Sequence, residues 1–482
     1  MERPERPERF ERSERPERSE RPERSERSER PERAERSVRS FGLWSTTALV
    51  AGHTIAVGIF LTPAQLIGAL ASPALTLGLW LVCGAAVLAG AFTFGELASR
   101  YPQAGGLYVY LRHGWGMRAA FLYGWQSLLV MDPGVTAALA AGLAQYLVVI
   151  WPSMAGHERW LAVAAIWILA LANMVGVRLS ARVFTVMTAV KLLALAFIVI
   201  AAFTVGQGNW SHLVPFVGSR QDAPPLAEAL TLGFIGVFFS FGGFWEASRV
   251  AAEVREPGRN LPLALAAGVV SVTIAYVVTT MAFMYLVPAR EATSATDFAR
   301  RAGEVMFGSA GPVVLASVVV LSVTASLMAL LLMAPRLYVA MGRDGLFLPA
   351  LARVHPATGV PVRATVLLAA LASLFVVIGT FDQIVAFFIC TALSFVALAA
   401  AALFVVRRRT KDQSAFQTPG YPFAPVLFVG LVLVVVLMVG VNRPLQALAG
   451  AAIVMGGLLI YRSDRSDRSG RSDRSGGRLP EE

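Results

Sequence analysis

The sequence predicts an all-α integral membrane protein of about twelve spanning helices. Three observations carry that class. The 482-residue chain is 56% apolar, with a mean hydropathy of +0.61. Many of its apolar runs reach the ~20 residues needed to cross a bilayer. Two of those runs are interrupted, GHTIAVGIF at 52–60 and FFSFGGFW at 238–245. Non-helical backbone survives at membrane depth only where it is buried in protein or lines a cavity. Interrupted segments at corresponding places in two halves point to the ligand site of a secondary transporter.

The elements follow in order. Residues 1–40 repeat Glu-Arg-Pro or Glu-Arg-Ser with a period of three from Glu2 to Arg36. This tail has 13 Arg and 12 Glu and little to bury, so disorder is expected. The first apolar run begins only near Phe41 and is too long for a signal peptide. Helices are expected near 43–67, 74–99, 119–150, 159–177, 183–206, 227–250, 263–288, 310–341, 363–380, 383–406, 423–441 and 445–461. They group as a permease-sized domain over 41–461, with one repeat over about 41–206 and a second, inverted, over about 226–407. Two further helices span about 422–461, and an Arg/Ser/Asp/Gly tail at 462–482 is again expected to be disordered.

Charge narrows the class. The formal +11 invites a nucleic-acid reading. With the tails' 19 basic and 17 acidic residues set aside, 23 basic and 14 acidic residues remain for 41–461. The basic ones sit in loops between apolar helices, so no nucleic-acid partner is expected and the partner surface is lipid. Fifteen Arg and Lys fall in loops on the N-terminal side, Arg100, Arg112 and Arg407 among them, against six on the other. That asymmetry puts both termini in the cytoplasm, with the plasma membrane as the expected location. Cys83 and Cys390 lie in apolar runs and read as packed small residues. No metal, cofactor or disulfide-linked heavy chain is expected.

The breaks suggest their own chemistry. A free amino acid carries a carboxylate and an ammonium on one carbon. A half-helix N-terminus offers unpaired N–H groups and a positive dipole end. The amides of Val57, Gly58 and Ile59 stand where a carboxylate would bind. The carbonyls of Thr54, Ile55, Phe239, Phe241 and Gly242 could take the ammonium. The competing reading is that Gly58, Gly242 and Gly243 only permit tight helix packing.

Four segments carry a family resemblance: GELASRYPQAGGLYVYL (95–111), NMVGVRLSARVFTVMTAVKLLAL (173–195), AAEVREPGRNLPLA (251–264) and YVAMGRDGLFLPALARVHPATGVP (338–361). They resemble the amino acid–polyamine–organocation permeases, and within them bacterial relatives of the L-type amino acid transporters, over about 42–461. The resemblance implies a LeuT-type 5+5 inverted repeat with helices 1 and 6 broken. It makes Phe239 the aromatic that lids the site. It implies that Lys191 takes the place of a sodium ion in sodium-coupled cousins, and it matches Glu96 to a family glutamate that gates or packs. There are departures. The usual Gly-Ser-Gly is Ala56-Val57-Gly58 here, which removes a hydroxyl and brings a β-branched side chain to the break, so a small or unusual substrate is indicated. Trp245 stands where relatives carry a polar residue, and either closes the side-chain pocket or packs.

Lys191 is the only lysine in an expected helix, and two readings of it stand. It either carries a proton or gates transport, or it is a fixed cation bridging helices 1 and 8; both imply independence from sodium. Asp132, before Pro133, is a proton site or a helix-bend acceptor. Glu246, Arg249 and Glu253 have the spacing of an i,i+3 and i,i+4 ion ladder. His53 reads as a cavity-wall or packed histidine rather than a titrating switch. An enzyme would need convergent nucleophile, base or ligand groups, and five His with two buried Cys form no such cluster. The function indicated is an amino acid permease, proton-coupled or exchanging. The alternatives are an amine or polyamine carrier of the same fold, and a sensor built on it.

Overall fold

The computed structural model describes residues 41–103, 105–205, 207–217, 224–288, 295–410 and 414–475. The N-terminal repeat and residues 476–482 lie outside the described residues. Among the described residues all regular structure is helical, and the one β-bridge joins Phe41 to Val254. Phe41 N donates to Glu253 O at 3.1 Å and Arg255 N to Phe41 O at 2.8 Å, which pins the start of the first helix beside the second break.

The first expected helix is two: α1 (Leu43–Thr54) and α2 (Gly58–Leu70), bent by 50°. α3 (Pro73–Arg100) starts on a Ser72 cap with proline at its first position, where a missing N–H costs nothing. A short α4 (Leu107–Trp115) precedes α5 (Met117–Ile150). α5 carries a π-turn over Ser127–Met131, directly ahead of Asp132-Pro133. A proline inside a helix removes one backbone bond, and the widened turn absorbs the mismatch. α6 (Glu158–Met174) and α7 (Val177–Thr204) close the first half.

The second half opens with α8 (Leu226–Phe241) and a 3₁₀ stretch, Phe244–Glu253. It continues through α9 (Pro257–Leu286), α10 (Ala295–Phe307), α11 (Gly311–Arg343), α12 (Val362–Ile378) and α13 (Phe381–Arg409). α14 (Phe423–Asn442) and α15 (Pro444–Ser475) follow. The backbone of α15 continues helically to Ser475, past the point where a disordered tail was expected to begin. Among the described residues nine helices are long and apolar enough to cross a membrane, or ten if α1 and α2 count as one span.

Three departures from the sequence reading have physical causes. Helix 6 does not resume as an α-helix beyond its expected break, where residues 244–253 are 3₁₀. It stops at Phe241, because Gly242 leaves the helical region (ψ 133°) and Gly243 turns to φ +108°. α4 and α10 are only 9 and 13 residues long, too short to register as apolar runs. α10 nonetheless buries Phe298, Ala302 and Met306 at helical spacing while Arg300 and Arg301 pair with Glu304 outside.

Small residues set the helix spacing, as expected where packing rather than water exclusion drives association. A Cβ on Gly84 of α3 would lie 2.5 Å from Thr273 of α9, and one on Gly268 of α9 would lie 2.5 Å from Val50 of α1. Large apolar side chains on the spans, such as Leu81, Phe197, Ile200, Leu437 and Leu459, point outward as lipid-facing groups do. Exposed tryptophans mark the ends: Trp44 and Trp115 at one, Trp151, Trp160 and Trp210 at the other.

Two charge clusters tie the loop elements down. Glu96 is wholly buried and receives Arg100 (2.9 Å), Arg407 and the amide of Thr418 (2.8 Å). Arg407 also lies over the Tyr421 ring, 3.8 Å from its centroid. This joins the end of α3 to the end of α13. Asp344, after α11, accepts from Tyr108 (2.7 Å) and Arg112 (3.3 Å) of α4. Burial, and then that hydrogen bond to Asp344, push the Tyr108 phenol above its ordinary range.

Candidate functional site

The two breaks face each other. At the first, Ile55 is extended (φ −72°, ψ 99°), and its amide still closes α1 on Ala51 O at 2.8 Å. Val57 caps α2 and its carbonyl accepts from Phe60 N at 3.0 Å. Among the described residues no carbonyl accepts from the amides of Val57, Gly58 or Ile59. At the second break Gly242 N donates to Phe239 O at 3.2 Å. Gly243 then takes a left-handed φ that L side chains rarely adopt, and a Cβ on it would lie 3.2 Å from His53 O. Gly58 abuts Ser240: a Cβ there would come within 2.8 Å of the Ser240 Cα. Gly58→Ala is therefore expected to destabilise the chain by about 1–3 kcal/mol, the usual cost of overpacking. The thermal midpoint of the detergent-purified protein reads this, and an unchanged midpoint would show that α2 and α8 can slide apart freely.

Two side chains hold the broken ends. Tyr276 of α9, fully buried, places its hydroxyl 2.9 Å from Thr54 O and 2.6 Å from Ser240 O, so one proton serves the C-terminal ends of both half-helices. Its ring packs against Trp80 and Phe241, with centroids 4.8 and 5.3 Å away. Lys191 of α7 donates to Gly52 O, to Ile55 O (2.8 Å) and to Ser326 Oγ of α11 (2.9 Å). Those three bonds use all three of its donors. Ser240 donates to Gly236 O at 2.8 Å and accepts from Thr62 at 2.9 Å, stitching α8 to α2.

Between the breaks lies a cavity of about 90 Å³. Ala56, Gly58, Phe239, Gly242, Gly243 and Trp245 contribute to its wall, with His53, Ser326 and Phe388. Asp132 and Glu246 line it too, and belong to a buried charge network. Arg249 Nε pairs with Glu246 Oε2 at 2.6 Å, and its Nη2 lies 3.9 Å from Asp132 Oδ1 and 3.4 Å from the Tyr123 hydroxyl. Tyr338 of α11 donates to Asp132 Oδ2 at 2.5 Å. Among the described residues neither Glu246 Oε1 nor Trp245 Nε1 meets the geometry of a hydrogen bond.

The expected ion ladder is corrected by this geometry. The i,i+3 pair Glu246–Arg249 forms, but among the described residues Arg249 makes no ion pair with Glu253. Residues 244–253 are 3₁₀, in which i and i+3 eclipse and i+4 falls on another face. The second partner of Arg249 is Asp132.

Other expected site residues sit behind the cavity wall. Thr54, Ile55, Val57, Ile59, Phe241 and Lys191 are buried and do not line it. Three of the carbonyls read as ammonium acceptors are already engaged: Thr54 by Tyr276, Ile55 by Lys191 and Phe239 by Gly242. Each keeps a second lone pair. The Val57 side chain does not crowd the break, because it packs into the space above Gly142 of α5, where a Cβ would lie 2.7 Å from its Cγ2. Trp245 both lines the cavity and packs edge-on against Phe244 at 5.1 Å. Glu96 belongs to its own cluster and does not line the cavity. Tyr276 and Ser326 escaped the sequence reading, since a tyrosine or serine in an apolar run gives no periodic signal.

Residues 41–459 match the family described as amino acid permease. The chain belongs to this family. The resemblance to the amino acid–polyamine–organocation superfamily therefore holds. Among its relatives is the serine/threonine exchanger SteT of Bacillus subtilis, 26% identical over 426 residues, covering 88% of this chain and 91% of that one. The human b(0,+)-type amino acid transporter 1 is 27% identical over 432 residues, covering 88% and 87%. The human cystine/glutamate transporter is 25% identical over 434 residues, covering 88% and 84%. These relatives are transporters rather than enzymes. The chain is an amino acid permease of the membrane, crossing it several times.

Proposed function

We propose that this permease carries small amino acids across the plasma membrane by alternating access, without sodium, and exchanges one for another. The observation that carries the reading is the pair of facing breaks. The amide of Gly58, which lines the cavity, forms an anion site for the α-carboxylate, with the amides of Val57 and Ile59 behind it. The ammonium is taken by the carbonyl of Gly242, which lines the cavity. Phe239 is the lid and Trp245 a side wall, and the charges of Asp132 and Glu246 close the floor. Glu96 gates from its own cluster. The cavity of about 90 Å³ favours a substrate near the size of serine, and a serine/threonine exchanger is among the relatives.

The mechanism calls for twelve spans arranged 5+5+2, with both termini cytoplasmic. α6 and α12, 17 residues each, complete the count. At 1.5 Å per residue each is about 25 Å long, the lower end of the spanning range. Repeats over about 41–206 and 226–407 each begin with a broken helix. Lys191 fills the place of a coupling cation and is tied to Ile55 and Ser326, which favours exchange over proton symport. Both cysteines are buried, so no disulfide to a partner chain is expected.

Uptake of labelled L-serine into proteoliposomes preloaded with unlabelled amino acids tests the reading. Uptake should follow preloading and ignore sodium, and serine amide should compete far more weakly than serine. A second reading, an amine carrier, draws on the two carboxylates that share one arginine at the cavity floor. Competition by the amide as strong as by the acid would favour it. Binding without accumulation would make the chain a sensor.

A further inference from the structure

α5 and α13 give the central cavity an apolar wall of Val135, Leu139, Phe388 and Ile389. The polar side chains on the same cavity divide into those already engaged and those with bonding capacity to spare. Ser240 is held between Gly236 and Thr62, Ser326 between Ser322 and Lys191, and His53 has a partner of its own. Asp132, Trp245 and Glu246 remain, 1%, 4% and 8% exposed. Tyr338 takes one oxygen of Asp132. The other, Oδ1, accepts no hydrogen bond among the described residues and lies 3.9 Å from Arg249 Nη2. Arg249 takes Oε2 of Glu246 and leaves Oε1 over, and among the described residues the Trp245 indole N–H is likewise unmatched. Two acceptors and one donor, on three buried side chains, thus stand spare around one cavity. A buried polar group left unpaired is costly, and on a cavity wall it calls for a partner that the ligand brings.

We propose that Asp132, Trp245 and Glu246 read the substrate's side chain and select a hydroxyl on its β-carbon, as in serine or threonine, resting on the amino acid reading above. With the α-carboxylate at Gly58 and the ammonium at Gly242, the side chain is the part of the substrate left to meet these three. A hydroxyl donates one hydrogen bond and accepts others, so it gives its proton to Asp132 or Glu246 and takes the indole N–H of Trp245. A methyl group answers none of the three. A side-chain ammonium donates but cannot accept, and leaves the indole N–H bare. One guanidinium shared by two carboxylates leaves this wall net negative, which suits a donor and turns away a side-chain carboxylate.

The test measures kcat/KM for labelled L-serine and labelled L-alanine in proteoliposomes of the full chain. The two substrates differ by the hydroxyl alone, so their ratio reads this contact and cancels any loss of fold or turnover common to both. The parent should prefer serine by about tenfold, the scale of one hydrogen bond to a charged group. Trp245→Phe keeps a ring, removes the N–H and should cut that preference by about threefold. Asp132→Asn should bring it to about twofold, and Glu246→Gln gives the same reading if Asp132→Asn does not fold. L-2,3-diaminopropionate, with an amine in place of the hydroxyl, should compete more weakly than serine. A parent that carries alanine as well as serine overturns the inference, as do variants in which the two values fall together. Stronger competition by diaminopropionate also overturns it, and would make the wall a cation site. A parent that carries neither serine nor alanine fails earlier, and that failure belongs to the function proposed above.

Discussion

Lys191→Met is expected to abolish uptake of labelled serine, with no response to sodium before or after the change. The side chain is 1% exposed and donates to Gly52 O, Ile55 O and Ser326 Oγ. Methionine matches its length and offers no donor. The carbonyls of Gly52 and Ile55 would then be orphaned at the end of a half-helix, at about 1–3 kcal/mol each. α1 would lose its tie to α11, and with it the geometry that presents the Val57–Ile59 amides. With all three donors used at once, a fixed-bridge role predicts that activity falls evenly across pH. Uptake that rises at low external pH in the parent alone would instead make Lys191 a proton carrier. A steep rise with sodium in the parent would overturn both roles and point to a true cation site near Ser322 of α11.

Arg249→Gln is expected to have the largest effect on folding. Its guanidinium is the counter-charge for Glu246 at 2.6 Å and the nearest cation to Asp132 at 3.9 Å, all three side chains being at most 10% exposed. Breaking a buried ion pair from one side leaves an uncompensated charge and typically costs about 3–5 kcal/mol. Glutamine keeps a donor but not the charge, so the chain should lose most of its correctly folded yield and its thermal midpoint should drop sharply. Arg249→Gln with Glu246→Gln should recover a good part of that loss, because the orphaned carboxylate is gone. Equal destabilisation in single and double variants would show that Arg249 acts through packing alone. Glu246→Gln by itself leaves Arg249 with Asp132 and Tyr123 and should be milder.

Much of the fold was legible because lipid imposes simple rules on sequence. The expected helix over 74–99 is α3, Pro73–Arg100, and the expected 423–441 is α14, Phe423–Asn442. Helix 6 misled at its far end. A hydropathy run does not reveal that Gly242 and Gly243 turn the chain into a 3₁₀ stretch, and the ion spacing assumed for an α-helix failed with it. Amphipathic α10 gives no apolar run because its buried face is one stripe among charges.

The site divides along the same line. By itself the sequence determined the membrane class, the helix order, the two breaks and the solitary buried lysine. Each follows from a local cost: an unsatisfied backbone group or a bare charge in hydrocarbon must have a reason to be there. Only the tertiary structure decided the partners. Lys191 finds Gly52, Ile55 and Ser326; Tyr276 joins Thr54 to Ser240; Arg249 chooses Asp132 over Glu253. These pairings join residues far apart in the chain. They depend on ångström-scale approach, set by glycines at helix crossings and by the three-residue turn of a 3₁₀ stretch, which the hydropathy pattern does not encode.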